Sequence, residues 1–162
     1  TTDIYTLSLH DALPIYKGFL RSEGALDVPG DIVTSQGLVL GQHRGIFDYT
    51  IGQRKGLGLT SPTPLYVLRI DAKQNQIVVG PGEELFKHQV EISELHFLDR
   101  PAPDEIVTGK ARYTTTDQPC RVEFLSGDRA LVSFAEPVRA PTPGQSLVLY
   151  RGDLVLGGGT IT

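Results

Sequence analysis

One cysteine, no tryptophan and no methionine occur in 162 residues, and only 7% of the chain is aromatic. A lone cysteine excludes an internal disulfide, so a reducing compartment, the cytoplasm, is the simplest setting. Nothing approaches the roughly eighteen consecutive apolar residues of a membrane-spanning helix, so no membrane partner is expected. No Gly-x-x-x-x-Gly-Lys-Ser/Thr loop and no strand followed by Gly-x-Gly-x-x-Gly is present, so nothing here would cradle ATP on helix-terminal amides. The four histidines, at 10, 43, 88 and 96, lack the paired spacing with cysteine or carboxylate that zinc requires. No metal site is expected. Positive charge is also short: the net charge is −4, which as an average speaks against an RNA binder.

What is abundant is turn chemistry. Eighteen glycines and eleven prolines separate short Val/Ile/Leu-rich clusters, the pattern of short strands joined by turns, with little helix. The expected fold is mainly β, in two small β-rich domains, the second a closed antiparallel barrel of about five to seven strands. The Pro101-Ala102-Pro103 pair with its flanking charges reads as a linker. This puts a central domain at 16–98 and a C-terminal barrel at 103–162. In the first, Asp31–Val33 and Leu38–Gly41 form a hairpin around Gly37, Phe47–Gln53 a short helical turn, and Leu65–Ile70 with Gln76–Gly80 a second hairpin. In the second, strands are expected at Val107–Thr114, Cys120–Leu125, Ala130–Phe134, Ser146–Arg151 and Leu154–Leu156.

The densest chemistry runs from His43 to Gly58, His-Arg-Gly-Ile-Phe-Asp-Tyr-Thr-Ile-Gly-Gln-Arg-Lys-Gly-Leu-Gly. Gly52, Gly56 and Gly58 let the backbone take positive φ or approach a ligand, and Gln53, Arg54 and Lys55 cluster donors suited to phosphate. Taken alone, such a stretch is as readily a turn with a solvated charged face. Arg44, Arg54 and Lys55 lie in this run, Lys110, Arg112, Arg121, Arg139 and Arg151 lie in the second half of the chain, and most acids fall between these cations. Folding could therefore gather a basic track on an acidic protein.

The run resembles the signature His-x-Gly-x-x-x-Tyr-Thr-Ile-Gly-Gln-Arg-Lys-Gly-Leu-Gly of the tRNA-specific 2-thiouridylases, which replace the 2-oxygen of the wobble uridine by sulfur. Two further segments agree in order and spacing. Lys110-Ala111-Arg112-Tyr113 with Asp117-Gln118-Pro119-Cys120-Arg121-Val122 is one; Phe134-x-Glu136-Pro137, Thr142-Pro143-Gly144-Gln145-Ser146 and Gly152–Gly159 form the other. The similarity covers Tyr16 to Thr162 and corresponds to the two carboxy-terminal domains of such an enzyme. The family's Ser-Gly-Gly-x-Asp-Ser loop does not occur in this chain, and neither of its two catalytic cysteines does. The persulfide cysteine should lie shortly before the segment matched by Tyr16-Lys17-Gly18-Phe19-Leu20, where this chain reads Leu7–Ile15 without cysteine. Residues 1–15 resemble a translated adaptor and are expected to be non-native.

The resemblance implies a tRNA sulfurtransferase whose ATP and magnesium are handled by another domain, with a separate protein donating sulfur. These residues would bind tRNA, need no cofactor and carry no catalytic group. It assigns tRNA contact to Arg112, Tyr113 and Gln145 on the barrel; the donor cluster of Gln53, Arg54 and Lys55 on the glycine-rich loop is expected, from its chemistry as well as the resemblance, to bind tRNA too. Plainer readings stand beside each. Arg112 and Tyr113 are strand neighbours on opposite faces, so one could be buried structure; Gln145, after Pro143-Gly144, could be a turn residue. His43 is either a residue facing tRNA or the active site or a histidine bonded within its own loop. Cys120 is read as a small core hydrophobe rather than a nucleophile, since Arg121 points to the opposite face and no base adjoins it. Beside the thiouridylase reading stand a non-catalytic RNA-binding barrel and a protein-interaction module using exposed strand edges.

Overall fold

The computed structural model describes residues 28–112 and 116–162; the expectations for residues 1–15, for Tyr16–Leu20 and for Tyr113 lie outside them. Within them the protein is mainly β: ten strands and two single 3-10 turns. It divides between Pro81 and Gly82 into two compact units.

The first unit holds β1 (Gly30–Thr34), β2 (Val39–His43), β3 (Tyr66–Asp71) and β4 (Gln76–Gly80), ordered β2-β1-β4-β3. Both expected hairpins form. In the β1–β2 turn the Gly37 N–H donates to the Thr34 carbonyl at 2.9 Å, and Gly37 takes φ 85°, a conformation costly for any residue with a Cβ. Between β3 and β4, Asp71 accepts the Gln74 N–H at 3.1 Å and the Arg69 guanidinium at 2.6 Å. β1 and β4 then pair in parallel, Ile32 beside Ile77, which buries the centre of the sheet. Ile32, Val67, Ile77 and Val79 are wholly buried, and Leu57 from the long β2–β3 connection caps them. Helical structure in that connection is one 3-10 turn, Ile46–Asp48, earlier and shorter than the expected 47–53.

The second unit is a closed six-stranded antiparallel barrel, β10-β5-β8-β7-β6-β9. Its strands are β5 (Phe86–Phe97), β6 (Val107–Lys110), β7 (Gln118–Phe124), β8 (Arg129–Arg139), β9 (Ser146–Arg151) and β10 (Leu154–Ile161). Alternation fills the interior: Val90 and Ile92 on β5, Ala130, Val132 and Phe134 on β8, Leu147 and Leu149 on β9 all face inward. Three glycines let β10 wedge between its neighbours. A methyl added at Gly158 would land on the Leu147 carbonyl, and one at Gly159 would meet the Ser93 carbonyl at 2.5 Å.

The domain boundary expected at residues 98–103 is displaced. β5, the longest strand, pairs with β8 and β10 and is a barrel strand, so the break lies before it. The Pro101–Pro103 segment is a connection inside the barrel. Leu98 N–H donates to the Leu156 carbonyl at 2.8 Å, and Arg151 binds Asp99 and Glu105, each at 2.6 Å. Proline and charge mark a turn there rather than a linker; Pro81-Gly82 carries the same chemistry at the true division. β6 ends at Lys110, leaving Arg112 at a bend beyond the strand instead of within a strand reaching Thr114.

Candidate nucleic-acid interface

The glycine-rich loop of the first unit sorts its polar residues by direction. Gly52, Gly56 and Gly58 take φ of 87°, 77° and 68°, as a loop folded tightly on itself requires. Gln53 is spent on that folding. Its Oε1 accepts the Thr50 N–H at 3.0 Å and its Nε2 donates to the Lys55 carbonyl at 2.9 Å. Its backbone is tied to β3 as well, the Val67 N–H donating to the Gln53 carbonyl at 2.9 Å. Arg54 and Lys55 are exposed and Leu57 is buried. The loop is thus pinned at both ends with its two cations outward, beside an open cavity of about 420 Å³ lined by Arg54, Gly56, Gly58, Ser61 and Thr63.

His43 does not face this surface. It is buried, 1% exposed, with its ring nitrogen Nε2 bonded to the Asn75 carbonyl at 3.0 Å and its ring edge-to-face with Tyr49, centroids 5.8 Å apart. Because a carbonyl can only accept, Nε2 carries the proton. Asn75 in turn donates to the Pro29 carbonyl at 2.9 Å, so His43 locks β2 to the β3–β4 turn. Its bond reaches the β3–β4 turn rather than its own loop, and its ring is covered within the first unit. Burial pushes the Tyr49 hydroxyl above its ordinary range; Asp48 adds to this and Arg44 opposes it.

On the barrel, the Arg112 side chain and the Gln145 backbone, far apart in sequence, both bond to Thr142. Arg112 is half-buried and donates through Nη2 to the Thr142 hydroxyl at 3.0 Å, which donates onward to the Ala140 carbonyl at 3.0 Å. Thr142 also accepts, through its own carbonyl, the Gln145 N–H at 3.1 Å, and the Ile161 N–H donates to the Gln145 carbonyl at 2.8 Å. The Gln145 side chain is exposed above a backbone fixed on both sides. Thr142, which sequence reasoning passes over, is the joint between the two; its one signal is the Thr-Pro-Gly turn that contains it.

Other expected features resolve by charge and burial. Arg121 pairs with Asp104 at 3.4 Å and Arg151 with Asp99 and Glu105, so these two cations are offset by acids on the same barrel and add no net charge to a basic track. Cys120 is 3% exposed, and burial pushes its thiol up to about 12. At neutral pH it carries no thiolate to act as nucleophile. Among the described residues no three of His, Cys, Asp and Glu converge as metal ligands would, and no helix is long and apolar enough to cross a membrane.

Residues 17–81 match the family described as the tRNA methyl transferase PRC-barrel domain, and residues 87–161 the aminomethyltransferase beta-barrel domain. The two matches flank the Pro81/Gly82 division seen in the fold. A tRNA-specific 2-thiouridylase of a Synechococcus species is 48% identical over 135 residues, covering 82% of this chain and 36% of the relative. Those of Geobacter metallireducens and Magnetococcus marinus are 45% and 46% identical, each over 90% of this chain and 40% and 42% of their own length. The chain spans about two fifths of the length of the relatives it matches. With the motifs, both domain matches and these identities in agreement, the chain belongs to the tRNA-specific 2-thiouridylase family.

Proposed function

We propose that these two β domains hold and orient tRNA for a cytoplasmic enzyme that thiolates the wobble uridine, and that they do not thiolate it by themselves. The observation that carries the reading is the Arg112–Thr142–Gln145 joint. The Arg112 guanidinium and the Gln145 backbone are both bonded to Thr142, so one barrel corner carries the guanidinium and an exposed amide as donors for an RNA backbone, and the exposed Arg54 and Lys55 of the other domain supply two further phosphate ligands. Tyr113, adjoining Arg112 in sequence, would add a stacking ring.

Adenylation and sulfur delivery need more than these residues offer. The helical elements described, Ile46–Asp48 and Gly82–Leu85, are single 3-10 turns, too short to present an anion-binding terminus, and among the described residues no carboxylate cluster fits magnesium. The one thiol is Cys120, protonated in the barrel core. ATP, magnesium and the sulfur-donor protein therefore belong, in this proposal, to a nucleotide-binding domain of the whole enzyme.

The test has two arms. The chain given tRNA, ATP, magnesium and a sulfur donor should form no 2-thiouridine above a control without protein, and product above that control would overturn the division of labour. In tRNA titrations at several salt concentrations, Arg112→Ala should weaken binding and lower the log–log salt slope by about one unit or less. Affinity and slope equal to those of the parent would refute tRNA contact by the joint.

A further inference from the structure

One cavity in the barrel is built for something flat and anionic. It holds about 250 Å³ between the start of β5, the end of β8, Arg112 beyond the end of β6 and the start of β7, with Phe86, Arg112, Gln118, Pro137 and Arg139 in its wall. Phe86 is 45% exposed, an unusual position for a phenyl ring at the head of a strand, and it lies opposite Arg139 in the β5–β8 register. The corner is held from below: the Ala140 N–H donates to the Leu85 carbonyl at 2.7 Å, and Ala140, 2% exposed, takes φ 51°. A buried alanine in the left-handed region persists only where its surroundings over-determine it. Here it turns the chain so that Arg139 stays at the rim while Thr142, two residues on, reaches Arg112. The fixed result is an exposed aromatic face, a proline ring, an amide and two guanidiniums, with no carboxylate lining the cavity among the described residues.

A second barrel cavity shows the contrast. It holds about 490 Å³ but is lined by Asp104 and Glu123, and Arg121 in its wall is paired with Asp104; those carboxylates would repel a polyanion. At about 250 Å³ the Phe86 cavity falls just below the range of drug-sized sites, roughly 300–1,000 Å³, which leaves room for one planar base.

We propose that this cavity is a single-nucleotide subsite in which one unpaired base of tRNA stacks on Phe86 and Arg139 binds the adjoining phosphate. Stacking on an exposed ring beside guanidinium donors is how single-stranded RNA is held without a groove. The proposal rests on the tRNA reading above and extends it to residues that reading does not use.

The chain contains no tryptophan, so Phe86→Trp introduces a unique fluorophore at the subsite. Titrated with tRNA, it should keep the parental affinity and lose emission as the indole stacks. Phe86→Leu, which keeps apolar bulk but has no π face, and Phe86→Ala should each weaken binding about 5- to 150-fold, equivalent to about 1–3 kcal/mol, with an unchanged salt slope. Arg139→Ala should lower that slope by about one unit. Parental affinity in Phe86→Leu with its melting temperature retained, or emission from Phe86→Trp unmoved by saturating tRNA, overturns the subsite. Arg112→Ala run alongside separates the two claims: if it weakens binding and Phe86→Leu does not, the subsite falls and the tRNA reading stands; if neither has an effect, both fall. Loss of thiolation by Phe86→Leu in the whole enzyme with tRNA affinity intact would assign the ring to a protein contact and overturn the subsite.

Discussion

Replacing Gln53 by alanine separates a residue that shapes a loop from the neighbours proposed to touch RNA. The change deletes two hydrogen bonds, Thr50 N–H to Oε1 at 3.0 Å and Nε2–H to the Lys55 carbonyl at 2.9 Å. Each is worth about 0.5–1.5 kcal/mol net. Because the site is half-buried and water can replace part of what is lost, the low end of the summed range applies, about 1 kcal/mol. For a domain of roughly 60–100 residues that lowers the melting temperature by about 4–8 °C. No charge is removed, so any loss of tRNA affinity comes from ordering a slackened loop and leaves the salt slope as it was. The doubly changed Arg54→Ala, Lys55→Ala protein should do the reverse. Both side chains are exposed, so stability should stay within about 0.5 kcal/mol, while the salt slope falls by up to about two units. Calorimetry of the first unit's transition and tRNA titration across salt concentrations read both quantities. A Gln53→Ala protein that melts like its parent yet binds tRNA more weakly would refute the clamp and make the amide a direct RNA contact.

Three further outcomes test the barrel. Gly158→Ala drives a methyl into the Leu147 carbonyl, whereas Gly109→Ala meets only side chains, Cys120 Sγ and Phe134 Cε1, both at 2.9 Å; denaturant titration should show Gly109→Ala losing about 1–3 kcal/mol and Gly158→Ala losing more, and the opposite order would contradict the close approach of β10 to β9. The Cys120 thiol, pushed up to about 12 by burial, should react with a thiol reagent at about pH 8 only as fast as the barrel opens, and labelling at the rate of the unfolded chain would put it at the surface. Glu105 is held at about 2, below its ordinary 4.5, first by the Arg151 guanidinium and then by the Ala102 N–H; a depressed folded value means its stabilisation is complete above pH 4.5 and is lost as pH falls toward 2, so Glu105→Gln should flatten the stability profile in that window, and an unchanged profile would show the pair to be idle.

An element is legible in the sequence when its signal is local. β9 can be read to its last residue, Ser146–Arg151, because a short apolar run, Leu147–Tyr150, is bounded at both ends by turn residues. β5 escapes such a reading although Val90 and Ile92 alternate as a strand requires. Its first four residues are exposed, so its apolar content is low, and the Pro101–Pro103 pair offers a stronger but misleading mark. β10 is cut short at Leu156 because Gly157–Gly159 read as a terminator. Glycine in a strand weakens it unless neighbouring backbones leave no room for a Cβ, and that condition is visible only once β5 and β9 are in place.

The same limit governs the site. His43, Gln53, Arg54 and Lys55 share one motif, and the sequence treats their polar groups alike. Geometry divides them by which hydrogen-bond partners they already hold: His43 is bonded to Asn75 and Gln53 to Thr50 and Lys55, whereas Arg54 and Lys55 reach solvent. An amide satisfied by its own backbone gains little by exchanging that partner for a phosphate, since one hydrogen bond replaces another. A cation releasing counterions from RNA gains on every contact. A motif can therefore be diagnostic of a family along its whole length while only its outward cations are free to meet a ligand, the inward members serving to hold the loop that carries them.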